Sequence, residues 1–355
     1  MKRSLVRLVL GAITLAVVGI AASPSAPTSA APSGSPLANG PWTPFVASFD
    51  PVDQAYNAAT GTNKALLAKI ALRPRVIWMT SQTQNGDAEK TVQDRISEFQ
   101  QGNPAAYTQL ALFGLYPKGE SHRSDPISAA QQAKYKTWID EIAAGIGSSR
   151  VILILEPDLG VAWGGWHPAV RFGLAAYAAK ELGALPNTHV YIDGSDADWL
   201  KPAKAVTMLR ESGIAYADGI ALGATHYSST AGNIVYGAGL IRRLAAGHIT
   251  GKHLVIDTAD NGRPFTTRQF KKRHRHLAIG NANVCTSRTS TKCVTLGIPP
   301  TTDVSSKRWG FSAGTRSLAA SYVDGFLWFG RPWLYAQSYP FELSRALQVA
   351  RTSPY

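Results

Sequence analysis

The sequence predicts an α/β protein, a distorted and partly open (β/α) barrel of about seven parallel strands. Three observations carry this. Short continuous apolar runs recur along the chain, the pattern of strands buried on both faces. Amphipathic helical stretches separate them, and such alternation builds a parallel sheet covered by helices. Polar residues gather just past the apolar runs, and in a barrel those ends share one working face.

The runs come in order. Arg75–Thr80 is the first and Gln109–Leu115 the second. Val151–Leu155 is the third, five apolar residues of which three are β-branched. His189–Asp193, Gly219–Gly223, His253–Asp257 and Gly325–Phe329 follow. Between them, Ala129–Ile146 sets Tyr135, Trp138, Ile139, Ile142 and Ile146 on one helical face. Arg171–Leu185 and Lys204–Ser212 behave similarly, and 234–247 ends on a glycine of the kind that stops a helix. The polar strand ends are Thr80 and Ser81, Pro117 to Glu120, Glu156 and Asp158, Asp193, Thr225 and His226, and Asp257.

Residues 1–30 read as a signal peptide. Lys2, Arg3 and Arg7 precede an apolar run, Leu8–Ala22, too short to span a bilayer well. Residues 31–45 read as a flexible lead, and 46–355 as one catalytic barrel domain. The formal charge is +13, of which Lys2, Arg3 and Arg7 contribute three. A basic domain suits an anionic partner. The densest cluster, Lys271–His276, has no nucleic-acid motif beside it and reads as a solvated loop. Through charge, a cell envelope is an expected partner. Nucleic acid is not expected, nor a membrane once the signal is removed, and the chain is expected to be a monomer. Export places Cys285 and Cys293 in an oxidising compartment, and eight positions apart they read as a disulfide. Two cysteines alone make no zinc site, and no metal or cofactor is expected.

The third run is followed by Glu156-Pro157-Asp158. The proline ends the ladder and leaves two carboxyls at the end of a buried strand. Desolvation raises a carboxyl's pKa, which suits a general acid. A solvated strand-end turn is the plainer alternative. Gly310-Phe-Ser312-Ala-Gly314 matches the nucleophile elbow in letters only, since Val304–Trp309 is a poor strand and no His follows His276. Of the nine tryptophans, Trp138 and Trp328 read as core. Trp163, Trp166 and Trp199 lie in polar or Gly-rich loops, where an indole face suits the apolar face of a sugar ring.

Four motifs together resemble glycoside hydrolase family 6, the secreted β-1,4-glucanases and cellobiohydrolases, in an actinobacterial-type branch. Val151–Asp158 is similar to the family's strand ending in Glu-Pro-Asp, and Tyr191–Leu200 to its Tyr-Leu-Asp-Ala-Gly-His-x-x-Trp-Leu. Ile256–Gly262 resembles its Asp-Thr-Ser-x-Asn-Gly, and Leu327–Pro332 its Leu-Trp-Val-Lys-Pro. The resemblance runs from about residue 70 to 355. It implies hydrolysis of β-1,4-glucosidic bonds with inversion, and the short loop after Trp333 leans towards endo action. Asp158 would be the general acid, Glu120 its modulator and the holder of the water, and Asp193 an electrostatic support. Trp78, Trp199, His226, Asn261, Arg331 and Gln337 would line sugar subsites.

Three departures stand out. Glu120 replaces the family's Asp, and Asp196 its His. The Asp that follows Lys-Pro, a candidate base, has no counterpart in Arg331–Ser338. A water chain through Glu120, another carboxylate such as Asp125 or Asp193, and low activity are the alternatives. A polysaccharide-binding protein with a degenerate site is the second reading of the whole chain.

Overall fold

The computed structural model describes residues 35–80, 87–116, 118–338 and 340–355. The expected signal, and Ser81 and Pro117 among the polar strand ends, lie outside the described residues. Within them, seven strands form one sheet in sequence order, each parallel to the next. They are β1 (Ile77–Thr80), β2 (Thr108–Phe113), β3 (Val151–Leu155), β4 (Thr188–Asp193), β5 (Gly219–Leu222), β6 (His253–Asp257) and β7 (Val323–Leu327).

The sheet curls into the expected barrel. Ile152 and Ile154 point into it, beside Tyr107, Ala111, Tyr191, Val255 and Phe329. Leu153 and Leu155 point outward into the helical layer. Every residue of β3 is buried, which is why no polar position interrupts that run. β7 starts two residues before the expected Gly325 and stops at Leu327. The reason is the seam. Trp328 and Phe329 leave the β6 ladder and turn to the first strand, where Trp328 O accepts from Val76 N at 2.8 Å. Phe329 O accepts from the Trp78 indole, also at 2.8 Å. The helices Pro51–Ala58, Gly61–Ala71 and Leu343–Thr352 cover this seam, packing around Trp328 and Trp333.

Of the expected helices, Ala129–Ile146 has the expected bounds. It opens on a capping box between Ser128 and Gln131 and ends at Gly147, whose φ is 52°. Pro168–Gly183, Pro202–Glu211 and Thr230–Ala246 each start a few residues earlier than their apolar periodicity suggested, two of them on a proline. Cys285 and Cys293 are bonded. Closing so small a ring is worth about 2–3 kcal/mol on the loop-entropy model.

The flexible lead needs correcting from residue 35 onward. Leu37 is wholly buried against the inner barrel residues, Pro36 O accepts from the Tyr107 hydroxyl, and the Trp42 indole donates to Leu37 O. Phe45 packs on Phe99 with ring centroids 5.1 Å apart. Three anchors among prolines and small residues are enough to hold a segment that composition alone marks as a linker. No helix among the described residues is long and apolar enough to cross a membrane.

Candidate active site

Three neighbouring strands end in left-handed residues. Glu156 (φ 53°) and Asp158 (φ 63°) follow β3, Ser195 (φ 84°) follows β4 and Thr225 (φ 57°) follows β5. An L-residue there costs about 1–2 kcal/mol, and such strain gathers at functional sites. Its effect here is to turn each chain sharply across the barrel mouth.

The two carboxyls after β3 then divide. Glu156 points back and is 1% exposed. It accepts from Gly114 N, Leu115 N and the Tyr135 hydroxyl, which tie β3 to the end of β2. Burial outweighs these donors and pushes it up to about 7. Asp158 points forward. Its Oδ2 accepts from Thr225 Oγ1 at 3.0 Å, and its Oδ1 lies 3.8 Å from His226 Nε2. Burial raises its pKa, against His226, Thr225 and Arg331, which lower it.

Glu120 faces Asp158 from the loop after β2. Burial and the Asp158 charge push it up to about 8, with Arg123 opposing. Its Oε1 is buried and has no hydrogen-bond partner among the described residues. It lines an open cleft of about 390 Å³ with Arg123, Trp163, Trp199 and Lys204. Trp199 stacks on His226, ring centroids 5.0 Å apart and planes 17° apart. Trp199 thus links the cleft to His226 and, through it, to Asp158. Lys204 lies 4.8 Å from the Trp163 ring centroid, so that indole already carries a cation. Trp78 is held by its bond to Phe329 O and has the Arg331 guanidinium 4.3 Å from its ring centroid.

Asp193 is 1% exposed. Its Oδ2 accepts from Ser195 N and its Oδ1 is buried without a partner among the described residues. Burial and then Asp158 push it well above the usual carboxylate range. This favours its neutral form, so its support of positive charge comes as a dipole. Asp125 is at the surface with Lys118 and His122, and neither reaches it closer than 3.3 Å.

Two expected sugar contacts turn out to be internal braces. Asn261 is 6% exposed, and its amide donates to Ser228 O, Thr230 Oγ1 and Asp257 O. Gln337 is 3% exposed. Its Nε2 donates to Asp260 Oδ2 at 2.7 Å and to Thr225 O at 2.9 Å, while its Oε1 accepts from Arg331 N at 3.0 Å. Asp196, the position read as replacing a histidine, accepts from Ser228 Oγ, Asn233 Nδ2 and Asp198 N. It locks the loops after β4 and β5 together.

Thr225 and Asp260 were missed as site residues. Thr225 was visible as a polar strand end, but its bond to Asp158 depends on a left-handed backbone that no local signal announces. Asp260 sits beside Asp257, whose carboxyl accepts from Ala259 N, Phe329 N and Gly330 N. Burial pushes Asp257 up to about 7 and Asp260 well above its usual range. A Cβ on Gly330 would lie 2.7 Å from Asp257 Oδ2, so only glycine fits over this pair.

This set of buried carboxyls sets a pH dependence of folding. A group whose native pKa is raised holds its proton longer folded than unfolded. Its contribution is whole below about pH 4 and is lost as pH rises through the native value. For Glu156 and Asp257 that window closes near 7. Asp218 is the exception, because there His189 and Val190 N outweigh burial. The melting temperature is therefore expected to fall by several degrees between pH 5 and pH 8. A calorimetric scan series that is flat or rising across this range contradicts the assignment.

The model for glycosyl hydrolases family 6 matches residues 44–310. Endoglucanase A of Cellulomonas fimi is 35% identical over 218 residues, 60% of this chain and 46% of the relative. Endoglucanase 1 of Streptomyces halstedii is 31% identical over 157 residues, 43% and 49% of the two chains. The chain thus spans about half the length of these curated relatives. Among solved structures, the endoglucanase Cel6 from Mycobacterium tuberculosis, in complex with a methyl-cellobiosyl thio-cellobioside, superposes with a TM-score of 0.70 at 26% identity. That match covers 91% of this chain and 100% of the other. Endoglucanase CEL6B from Humicola insolens gives 0.62 at 13% identity, covering 89% and 98%, a likeness of fold.

Proposed function

Because the chain belongs to the glycosyl hydrolases of family 6, we propose that it cleaves internal β-1,4-glucosidic bonds of cellulose-like glucans with inversion. The observation that carries the proposal is the electrostatic pairing of Asp158 with Glu120, whose side chain lines an open, tryptophan-walled cleft. Asp158 is raised towards its protonated form and shows 16% of its side chain to solvent, enough to reach a bound sugar. It gives its proton to the leaving glycosidic oxygen. The Thr225 hydroxyl fixes the carboxyl plane and leaves the other oxygen for the transfer.

Inversion needs a water on the opposite sugar face. Glu120 supplies an oxygen without a described partner for that water or for a chain leading to it. The Trp199–His226 stack gives a flat wall for a pyranose ring. Asp193 is close enough for Asp158 to raise its pKa, and it supports the oxocarbenium-like state as a dipole. The relatives named endoglucanase and the open cleft both favour endo action. Leu8–Ala22 behind three cations favours export.

The test is hydrolysis of soluble cello-oligosaccharides, with product anomers followed by NMR. Initial release of the α-anomer supports the reading, and β-anomer sinks it. A second reading has its own observation. Gln337 and Asp260 fill the region where a second carboxylate was sought, and both are buried and bonded to each other. Binding of the same sugars without turnover would make the chain a sugar-binding relative of the enzymes.

A further inference from the structure

The largest charge asymmetry lies outside the cleft. Residues 263–292 carry eight Lys and Arg, and residues 261–302 contain no Asp or Glu. Among the described residues, Arg75, Lys90, Arg95, Lys118 and Arg308 form ion pairs with Asp or Glu. None of the eight has a carboxylate partner there. Arg268, Lys271, Lys272, Arg273, Arg275 and Lys292 are all exposed. So many uncompensated cations on one face cost stability through self-repulsion, and an anionic partner removes that cost.

The face has a built recess. Arg273, Lys292, Gln269 and Asn283 line a cavity of about 50 Å³, floored by Phe265 and Phe270. Gln269 belongs to the capping box of the helix Thr267–Arg273, and its Oε1 accepts from Thr266 N. Its Nε2 is thereby left to donate. Two cations and two amide donors with no acceptor of negative charge suit a small tetrahedral oxyanion. The recess is held rigid from both sides. The Cys285–Cys293 bond closes the loop bearing Lys292, and Arg263 O accepts from Cys293 N. Thr267 N donates to Asp198 Oδ2, beside Trp199, so the basic face adjoins the cleft wall.

We infer that this face binds a phosphodiester-linked anionic glycopolymer, seating one phosphate between Arg273 and Lys292 while neighbouring cations meet the next ones. A polymer engages the flanking lysines and arginines together, which multiplies weak single contacts. Nucleic acid fits less well. Phe265 and Phe270 are 4% and 6% exposed and offer no stacking platform, and a helix of seven residues is short for a groove. This inference stands independently of the hydrolytic reading, because its ligand and its residues are different.

The test uses the full chain and immobilised poly(glycerol phosphate), with neutral dextran, polygalacturonate and duplex DNA as comparisons. Binding to the phosphate polymer should weaken by about tenfold or more between 20 and 300 mM salt, as counterion release requires. R273Q/K292Q should weaken it about tenfold, with melting temperature unchanged or raised, since two repelling cations are gone. R242Q/R243Q, which removes the same charge from the exposed face of another helix, should have little effect. Hydrolysis or binding of neutral cello-oligosaccharides should be the same in all three proteins. Equal binding by R273Q/K292Q and wild type overturns the site. Equal or tighter binding of polygalacturonate or DNA, lost in the same variant, overturns the phosphodiester glycopolymer as the partner.

Discussion

Asp158→Asn is expected to lower kcat on cello-oligosaccharides by about 10²–10⁴-fold, the usual contribution of a positioned acid or base. At 1.36 kcal/mol per decade this is about 3–5 kcal/mol of transition-state stabilisation. The variant is nearly isosteric. Its amide oxygen can still accept from the Thr225 hydroxyl, so the loop after β5 should keep its place. The carboxamide cannot deliver a proton to the leaving oxygen. KM should change little, because the cleft walls Trp163, Trp199 and Glu120 are left in place. Equal losses in kcat and kcat/KM would mark an interaction made only in the transition state. A kcat loss below about tenfold would place the acid elsewhere and remove the central assignment.

The second large effect concerns Glu120→Gln, and its signature is a pH profile. Burial and the Asp158 charge push Glu120 up to about 8, and the repulsion between two ionised carboxylates acts on both. Their proton losses therefore belong to the pair. The substitution removes the like charge. Asp158 should then lose its proton at lower pH, and the alkaline limb of kcat should move towards acid. The sign follows directly, because a neighbouring carboxylate disfavours ionisation and removing it restores ionisation. The rate at the new optimum should fall as well, since the oxygen proposed to hold water becomes one arm of an amide. Glu120→Asp keeps the charge and should hold the alkaline limb nearer its original place while lowering kcat. An unmoved limb in Glu120→Gln would mean that Glu120 does not sense Asp158, and its place in the mechanism would go with that.

What the sequence revealed follows the range over which each signal acts. The strands were legible because burial on both faces leaves no choice of residue, as in Val151–Leu155. Asp158 drew notice because a charge next to such a strand needs an explanation, and the structure sets it beside Thr225 and His226. The seam was not, since nothing in Trp328-Phe329 says that they leave one ladder for another strand. Helices such as Gly61–Ala71 escaped because only Leu67, Ile70 and Ala71 are buried, too few for a clear stripe. Asn261 and Gln337 were placed at the sugar because their motifs border the cleft. Their amides instead meet unpaired carbonyls and a buried carboxyl, partners that exist only once the barrel has curled. Polar residues at a barrel mouth divide between ligand and scaffold, and only the folded geometry separates the two.

The seam has a kinetic meaning. Its indole bond joins residues 251 positions apart, and the backbone bond beside it joins Val76 to Trp328. Each neighbouring pair from β1 to β7 can zip with its predecessor through a much shorter connection, yet this closure needs both ends of the chain. Contacts between distant residues form slowly because the intervening segment must first lose its freedom. The inner core is complete only when Phe329 meets it, so an incompletely synthesised chain presents two open sheet edges and an unsealed interior. Such a species offers strand pairing to other molecules. The helix Leu343–Thr352 packs over the closed seam around Trp328 and Trp333, and so makes the barrel harder to reopen.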